Sequence, residues 1–191
     1  NDIITILSAG HGNNDTLIGG AGADAINLSA GSHTFSNDAK LATIETINAN
    51  SSSTTLDLTG QLEAFTVAGG AQADNLTGGS GNDIITGGGG NDTLKGGAGN
   101  DTLKVDSGSD IITLLGGAGA GGESDVLVVS NGAIATAEDI KNFVATTGTT
   151  NAGQAILSAV SGGGTINMDQ ATGVFEVVSN HLTERLRTYA A

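Results

Sequence analysis

The chain has 191 residues, with 6 Lys and Arg against 20 Asp and Glu, a net charge of −14. It holds 32 Gly, no Pro, no Cys and only 3% aromatic residues. This excludes a disulfide framework, a cysteine-based zinc site, thiol chemistry and a collagen-like or proline-rich linker, and the acidic balance argues against nucleic acid or an anionic membrane surface as a direct partner. No apolar run approaches the roughly 20 residues of a membrane span. The hydrophobic content of 38% is too high for simple disorder, yet little aromatic mass is available for a large core. The acids divide into 14 Asp and 6 Glu. Asp is the turn-favouring carboxylate and a hard oxygen ligand, so the skew points to loops and metal rather than to helix faces.

The chain opens in mid-pattern. Asn1-Asp2-Ile3-Ile4-Thr5 recurs unchanged at Asn82-Asp83-Ile84-Ile85-Thr86, as expected of a piece of a longer protein. Residues 1–38 form a short irregular block. Gly19-Gly20-Ala21-Gly22-Ala23-Asp24-Ala25-Ile26-Asn27 is one complete unit of a glycine-aspartate pattern. Asp15 lies nine residues before Asp24, but the glycines of Gly10-His11-Gly12-Asn13-Asn14 are out of step. Residues 39–68 carry an 18-residue echo. Ile44-Glu45-Thr46-Ile47 aligns with Leu62-Glu63-Ala64-Phe65, and Leu58-Thr59-Gly60 with Leu76-Thr77-Gly78. This predicts metal-free, β-helix-like coils with Leu41, Ile44, Ile47, Leu58, Leu62, Phe65 and Val67 inside.

Residues 69–128 contain the main array. Asp74, Asp83, Asp92, Asp101 and Asp110 follow a strict nine-residue period through GGAQADNLT, GGSGNDIIT, GGGGNDTLK, GGAGNDTLK and VDSGSDIIT. A disordered Gly/Asn/Asp linker would show neither the fixed period nor an aliphatic at the same place in every unit. The three-residue ends read as very short strands whose central residues, Leu76, Ile85, Leu94, Leu103 and Ile112, point inward. The glycine-rich six residues before each strand permit positive φ and close backbone approach. Two units make one coil, so Asp74, Asp92 and Asp110 line one edge and Asp83 and Asp101 the other. Like carboxylates at the inter-strand spacing of about 4.8 Å repel. A Ca²⁺ ion, which takes six to eight oxygens, removes that cost. One inward aliphatic per nine residues is a thin core against the entropy of ordering the chain, so calcium is expected to supply the missing stability by binding the folded form.

Residues 129–191 read as a mixed α/β cap that closes the open end of the coil. Asp125–Val129 is a strand. Thr136-Ala137-Glu138-Asp139 has the spacing of a capping box opening a short helix through Ile140, Phe143 and Val144. A second helix is expected over Asn151–Val160, a hairpin from Thr165–Met168 and Val174–Val178, and helical spacing from Asn180.

The tandem Gly-Gly-x-Gly-x-Asp-x-(Leu/Ile)-x units resemble the RTX (repeats-in-toxin) calcium-binding nonapeptide. The resemblance is closest over 69–113 and looser over 10–27. It implies a mainly β fold, a right-handed parallel β-roll stacked in 18-residue coils. It also implies several Ca²⁺ ions, each between two same-side turns, with the pairs Asp74/Asp92, Asp83/Asp101 and Asp92/Asp110. Loop oxygens would come from Gly78, Gly79, Gly81, Gly87, Gly88, Gly90, Gly96, Gly97 and Gly99, and Asp24 and Asp15 are candidate ligands in the first block. Gln72 and the pair Val105-Asp106 depart from the pattern and leave the outermost sites incomplete, with Asp106 a candidate extra ligand. The resemblance further implies type I secretion of an unfolded chain from a Gram-negative bacterium. Folding on calcium would follow outside the cell or at its surface, and a secretion signal would lie within residues 130–191.

Enzyme signatures are absent. Gly117-Ala118-Gly119-Ala120-Gly121-Gly122 fits a dinucleotide fingerprint but leads into a turn and strand, not a helix. His11, His33 and His181 are scattered without a zinc-peptidase motif, and His33 reads as a surface or turn residue. No Gly-x-Ser-x-Gly elbow is present. The composition, Cys-free, Pro-free, Lys-poor and rich in Ala, Gly and Thr, fits a calcium-folded, non-catalytic part of a secreted surface protein such as an S-layer protein, with self-association into a lattice. The alternative is the tail of a secreted lipase, protease, adhesin or toxin.

Overall fold

A computed structural model of the protein describes residues 1–7, 16–35, 41–49, 52–113, 125–140, 142–144, 149–152, 154–159, 165–167, 171–173 and 176–178. Among these residues every regular element is a strand, and every strand pairing is parallel. Nine strands, from Ile3–Ile6 to Thr172–Gly173, form one sheet. Eight more, from Gly31–Thr34 to Glu176–Val178, form a second. Within 54–113 the chain visits the two sheets alternately, the signature of a coil. Parallel strands buried against a second layer need a crossover between each pair, and the turns supply it.

The nonapeptides set the pitch of the middle. Thr66 pairs with Ile84 and Ile84 with Thr102; on the opposite sheet Asn75 pairs with Thr93 and Thr93 with Ile111. Both are intervals of 18 residues. The alternation of a β-strand turns Leu76, Ile85, Leu94, Leu103 and Ile112 inward, and all five are fully buried in one continuous core. That core runs on through Ile26, Ile47, Leu56 and Phe65 on one side and Leu127 and Val129 on the other. Both large sheets cross the expected boundaries at 38, 68 and 128.

Outside the nonapeptides the pitch changes. Ile47 pairs with Val67 and Leu56 with Leu76, an interval of 20 residues in place of the expected 18. The extra residues lie in the turn. Gln61 is fully buried there and its side-chain amide donates to the Phe35 carbonyl at 2.8 Å. Leu62 is thereby pushed out and is 65% exposed, contrary to expectation, whereas Leu41, Ile44, Ile47, Leu58, Phe65 and Val67 are buried. His33 also departs from its expected surface position. It lies on Gly31–Thr34 opposite Leu56, fully buried, with Nε2 3.0 Å from the Ser29 carbonyl.

The expected α/β cap is not formed by the described residues. Thr136–Asp139, expected to open a helix through Ile140, Phe143 and Val144, lies instead in the strand Ile134–Ile140, which pairs with Ser109–Thr113, and Asn142–Val144 is a further strand. Gln154–Ala159, the expected second helix, is the next strand on the same sheet. The hairpin is also absent: Thr165–Asn167 pairs with Asn142–Val144, and Glu176–Val178 with Gln154–Ala159. The physical reason is the open edge. Ser109–Thr113 presents a row of unpaired backbone groups, and a following segment that pairs with it satisfies them, whereas a helix does not. Tertiary context outweighs a local propensity of a few tenths of a kcal/mol per residue. The segment from Asn180, like Asp15 and Gly117–Gly122, lies outside the described residues.

Candidate metal centre

The turns place one carboxylate per nonapeptide inside the stack. Asp74 is 4% exposed, and Asp83, Asp92, Asp101 and Asp110 are 1% exposed each. Each is held by the preceding coil. Asp92 Oδ1 accepts the backbone N–H of Asp74 at 2.9 Å, and Asp110 Oδ1 that of Asp92 at 2.9 Å. On the other edge Asp83 Oδ1 accepts from Phe65 N at 2.8 Å, and Asp101 Oδ1 from Asp83 N at 2.8 Å. The aspartates of each expected pair therefore stand one above the other, joined by an amide–carboxylate bond.

The second carboxylate oxygens differ. Asp74 Oδ2 accepts from Gly70 N at 2.7 Å and Asp83 Oδ2 from Gly79 N at 2.8 Å, each in its own turn. Asp92 Oδ2 and Asp110 Oδ2 are buried without a hydrogen-bond partner. A buried anionic oxygen with no donor costs several kcal/mol unless a cation meets it.

The turns themselves are backbone stacked on backbone. Gly78, Gly79, Gly81, Gly87, Gly88, Gly90, Gly96, Gly97 and Gly99 all lie in them, and Gly88, Gly90, Gly97 and Gly99 have φ between 94° and 114°. Gly87 shows why its position excludes side chains, since a Cβ there would sit 2.5 Å from Asp92 Oδ2. Carbonyls of one turn receive N–H groups of the next: Gly89 N donates to Gly70 O at 2.9 Å and Ala98 N to Gly79 O at 3.0 Å. Among the described residues no three His, Asp or Glu side chains converge on a point. A cation in these turns would therefore be held by pairs of carboxylates and by carbonyl oxygens, a hard-oxygen set suited to Ca²⁺.

Sequence reasoning missed two features. Asp125 continues the edge of Asp83 and Asp101: it is 1% exposed, and its Oδ1 accepts from Asp101 N at 2.8 Å. Its interval is 24 residues, so a search at 9 or 18 passes over it. The asparagine before the motif aspartate forms a second ladder. Asn82 Oδ1 accepts from Asn100 N at 2.8 Å and Asn91 Oδ1 from Ser109 N at 3.0 Å. The recurrence of Asn-Asp in three consecutive units was the available signal. Asp106 is exposed and accepts the Ser130 hydroxyl at 3.0 Å.

A family model described as the RTX calcium-binding nonapeptide repeat (4 copies) matches residues 9–32, 66–94 and 86–121. The chain carries RTX calcium-binding repeats. Comparison with curated proteins and with solved structures finds no match. The RTX array is a structural calcium-binding module built on a parallel β-roll, and its buried oxygens fit that cation.

Burial raises the pKa of three RTX carboxyls in the calcium-free protein. Asp83 and Asp92 are shifted up chiefly by desolvation, and Asp74 adds repulsion at Asp92. Asp110 is pushed to about 6 by burial and by the neighbouring Asp92 and Asp106 carboxylates. A carboxyl raised in the folded state binds more protons folded than unfolded. Its stabilising contribution is complete below the ordinary carboxylate range and is lost as pH rises through about 6 at Asp110. The calcium-free chain is expected to show stronger β-sheet circular dichroism at pH 5 than at pH 7.5, while calcium affinity falls at pH 5 because protons compete. A calcium-free signal that grows toward pH 7.5 would contradict this.

Proposed function

We propose that this chain is a calcium-folded module of a secreted protein, with each ion lying between two same-side RTX turns. Asp74/Asp92, Asp83/Asp101 and Asp92/Asp110 supply the carboxylates, the turn carbonyls complete the shell, and Asp125 with Asp101 extends the series. The observation that carries this reading is the burial of Asp92 Oδ2 and Asp110 Oδ2 without donors in turns that carry the family's repeat. The fold has a thin core and acidic edges, so the free energy of binding calcium becomes free energy of folding.

Calcium modules of extracellular proteins have Kd values of roughly 10⁻⁴–10⁻³ M. In a calcium-poor cytosol the array stays open, which suits export of an unfolded chain through a type I apparatus. Outside the cell calcium closes the coil. The module is non-catalytic and serves a surface or extracellular structural protein, an S-layer protein being the reading that the composition favours over the tail of a secreted enzyme. Titration followed by far-UV circular dichroism at pH 7.5 tests this. Millimolar Ca²⁺ should convert a largely unordered spectrum into a β spectrum, while equal Mg²⁺, which keeps its water and demands octahedral geometry, should not. A chain already folded without calcium, or folded equally by magnesium, would overturn the proposal.

A further inference from the structure

The turn at Thr43–Glu45 lies outside every nonapeptide and outside the matched residues, in a segment expected to be free of metal. It nevertheless occupies the place of an RTX turn. Gly19 N donates to Ala42 O at 3.0 Å as Gly78 N donates to Lys95 O at 2.9 Å, so Thr43 stands where Gly96 stands in the array. Thr46 N donates to Asp24 O at 3.1 Å as Thr102 N donates to Asp83 O at 2.8 Å, so Glu45 stands where Asp101 stands. The side chains agree. Glu45 Oε2 accepts the Asp24 N–H at 2.7 Å, as Asp101 Oδ1 accepts the Asp83 N–H at 2.8 Å.

Only Ile44 separates Thr43 from Glu45, whereas four residues separate Gly96 from Asp101. Two features make the short turn fit. The extra methylene of Glu restores the reach that the missing residues would have given. Thr43 adopts φ 56°, the only positive φ among the described non-glycine residues, a conformation strained for a β-branched residue.

The strained turn packs two oxygens against Gly19. Beside Gly19, the space that a Cβ would fill is bordered by the Thr43 carbonyl oxygen and, 2.6 Å away, by Asp24 Oδ2. Gly96 O and Asp83 Oδ2 border the equivalent space beside Gly78. Asp24 is 1% exposed and its Oδ2 has no hydrogen-bond partner. In the array Gly79 N donates to the second oxygen of Asp83, but here Gly20 N donates instead to Thr43 Oγ1 at 2.7 Å, which leaves Asp24 Oδ2 without its donor. Its partner oxygen is occupied, with Asp2 N bonded to Oδ1.

From these observations we infer that Asp24, the Thr43 carbonyl and Glu45 bind a calcium-type divalent cation, at a hybrid site in which one turn is an RTX unit and the other is glycine-free. The inference rests on the calcium reading of the array. The site extends calcium control beyond the nonapeptides, into the coils between the two RTX blocks.

The test is equilibrium dialysis of the full chain against Ca²⁺, with hydrogen exchange of the native chain alongside. Glu45→Gln and Asp24→Asn should each lose one bound ion, the same ion, so that the double variant loses no more than either alone. Thr43→Gly, which keeps the carbonyl and relieves the positive φ, should lose none. In the unaltered chain Ca²⁺ should protect the amides of 19–24 and 43–46 as well as those of 69–113. Unchanged ion counts in Glu45→Gln and Asp24→Asn, or protection confined to 69–113, would overturn this site and leave the array intact. If neither 69–113 nor 43–46 gains protection, the calcium reading itself fails. If the variants do not fold, the exchange measurement on the native chain decides.

Discussion

Asp92→Ala is expected to remove two calcium ions from the array, where Asp74→Ala removes one. Asp92 stands between Asp74 and Asp110 on one edge and is joined to both through amide–carboxylate bonds, so it belongs to two same-side pairs. Hydrogen bonding alone ranks the two changes the other way. Asp74→Ala deprives both Thr54 N and Gly70 N of an acceptor, whereas Asp92→Ala deprives Asp74 N. An unpaired buried N–H costs about 1–3 kcal/mol, so without ions Asp74 would be the more costly loss. At ten times Kd each ion contributes about 1.4 kcal/mol, so the one additional ion lost from Asp92→Ala offsets about one unpaired N–H and brings the two variants roughly level. Bound calcium per chain separates the cases. Equal ion loss from both variants would contradict the stacked pairs.

Gly97→Ala is expected to prevent closure of the array even in saturating calcium, while Gly89→Ala should be tolerated. Gly97 has φ 111°, and a Cβ there would collide with the Gly79 carbonyl oxygen of the coil below. Relief would require the two turns to separate, which breaks the bond from Ala98 N to that same carbonyl and disrupts the carbonyl stack. Gly89 occupies the variable third place of the motif, held by Ala, Ser, Ala and Ser in the other four units. A Cβ there meets nothing nearer than 3.5 Å, and removing a glycine restricts the unfolded chain, a gain of about 0.4–1 kcal/mol. Circular dichroism in excess calcium distinguishes them. A folded Gly97→Ala with unchanged calcium binding would contradict the packing described for the turns.

The parts of this fold legible in the sequence are those in which one residue type has one job. The inward Leu76, Ile85, Leu94, Leu103 and Ile112 and the buried motif aspartates follow from a period that backbone stacking enforces. Where side chains begin to fill the turns the period fails. Gln61 spans to Phe35 and lengthens its coil to 20 residues, which turns Leu62 outward. Glu45 and Asp125 do the structural work of motif aspartates at intervals of 21 and 24 residues, so no periodic search finds them. The segments 134–140 and 154–159 contain Ala, Glu, Gln and Leu and read locally as helix. They are strands because the edge left by Ser109–Thr113 offers more hydrogen bonds than an isolated helix can match.

The position of the ions is the central claim. Anomalous diffraction from crystals of the chain grown in calcium tests it most directly. Calcium peaks are expected between the turns at Asp74/Asp92, Asp83/Asp101 and Asp92/Asp110, each within about 2.3–2.6 Å of carboxylate and carbonyl oxygens. Turns that close at full calcium with no peak between them, or peaks confined to the outer faces of the strands, would contradict the account.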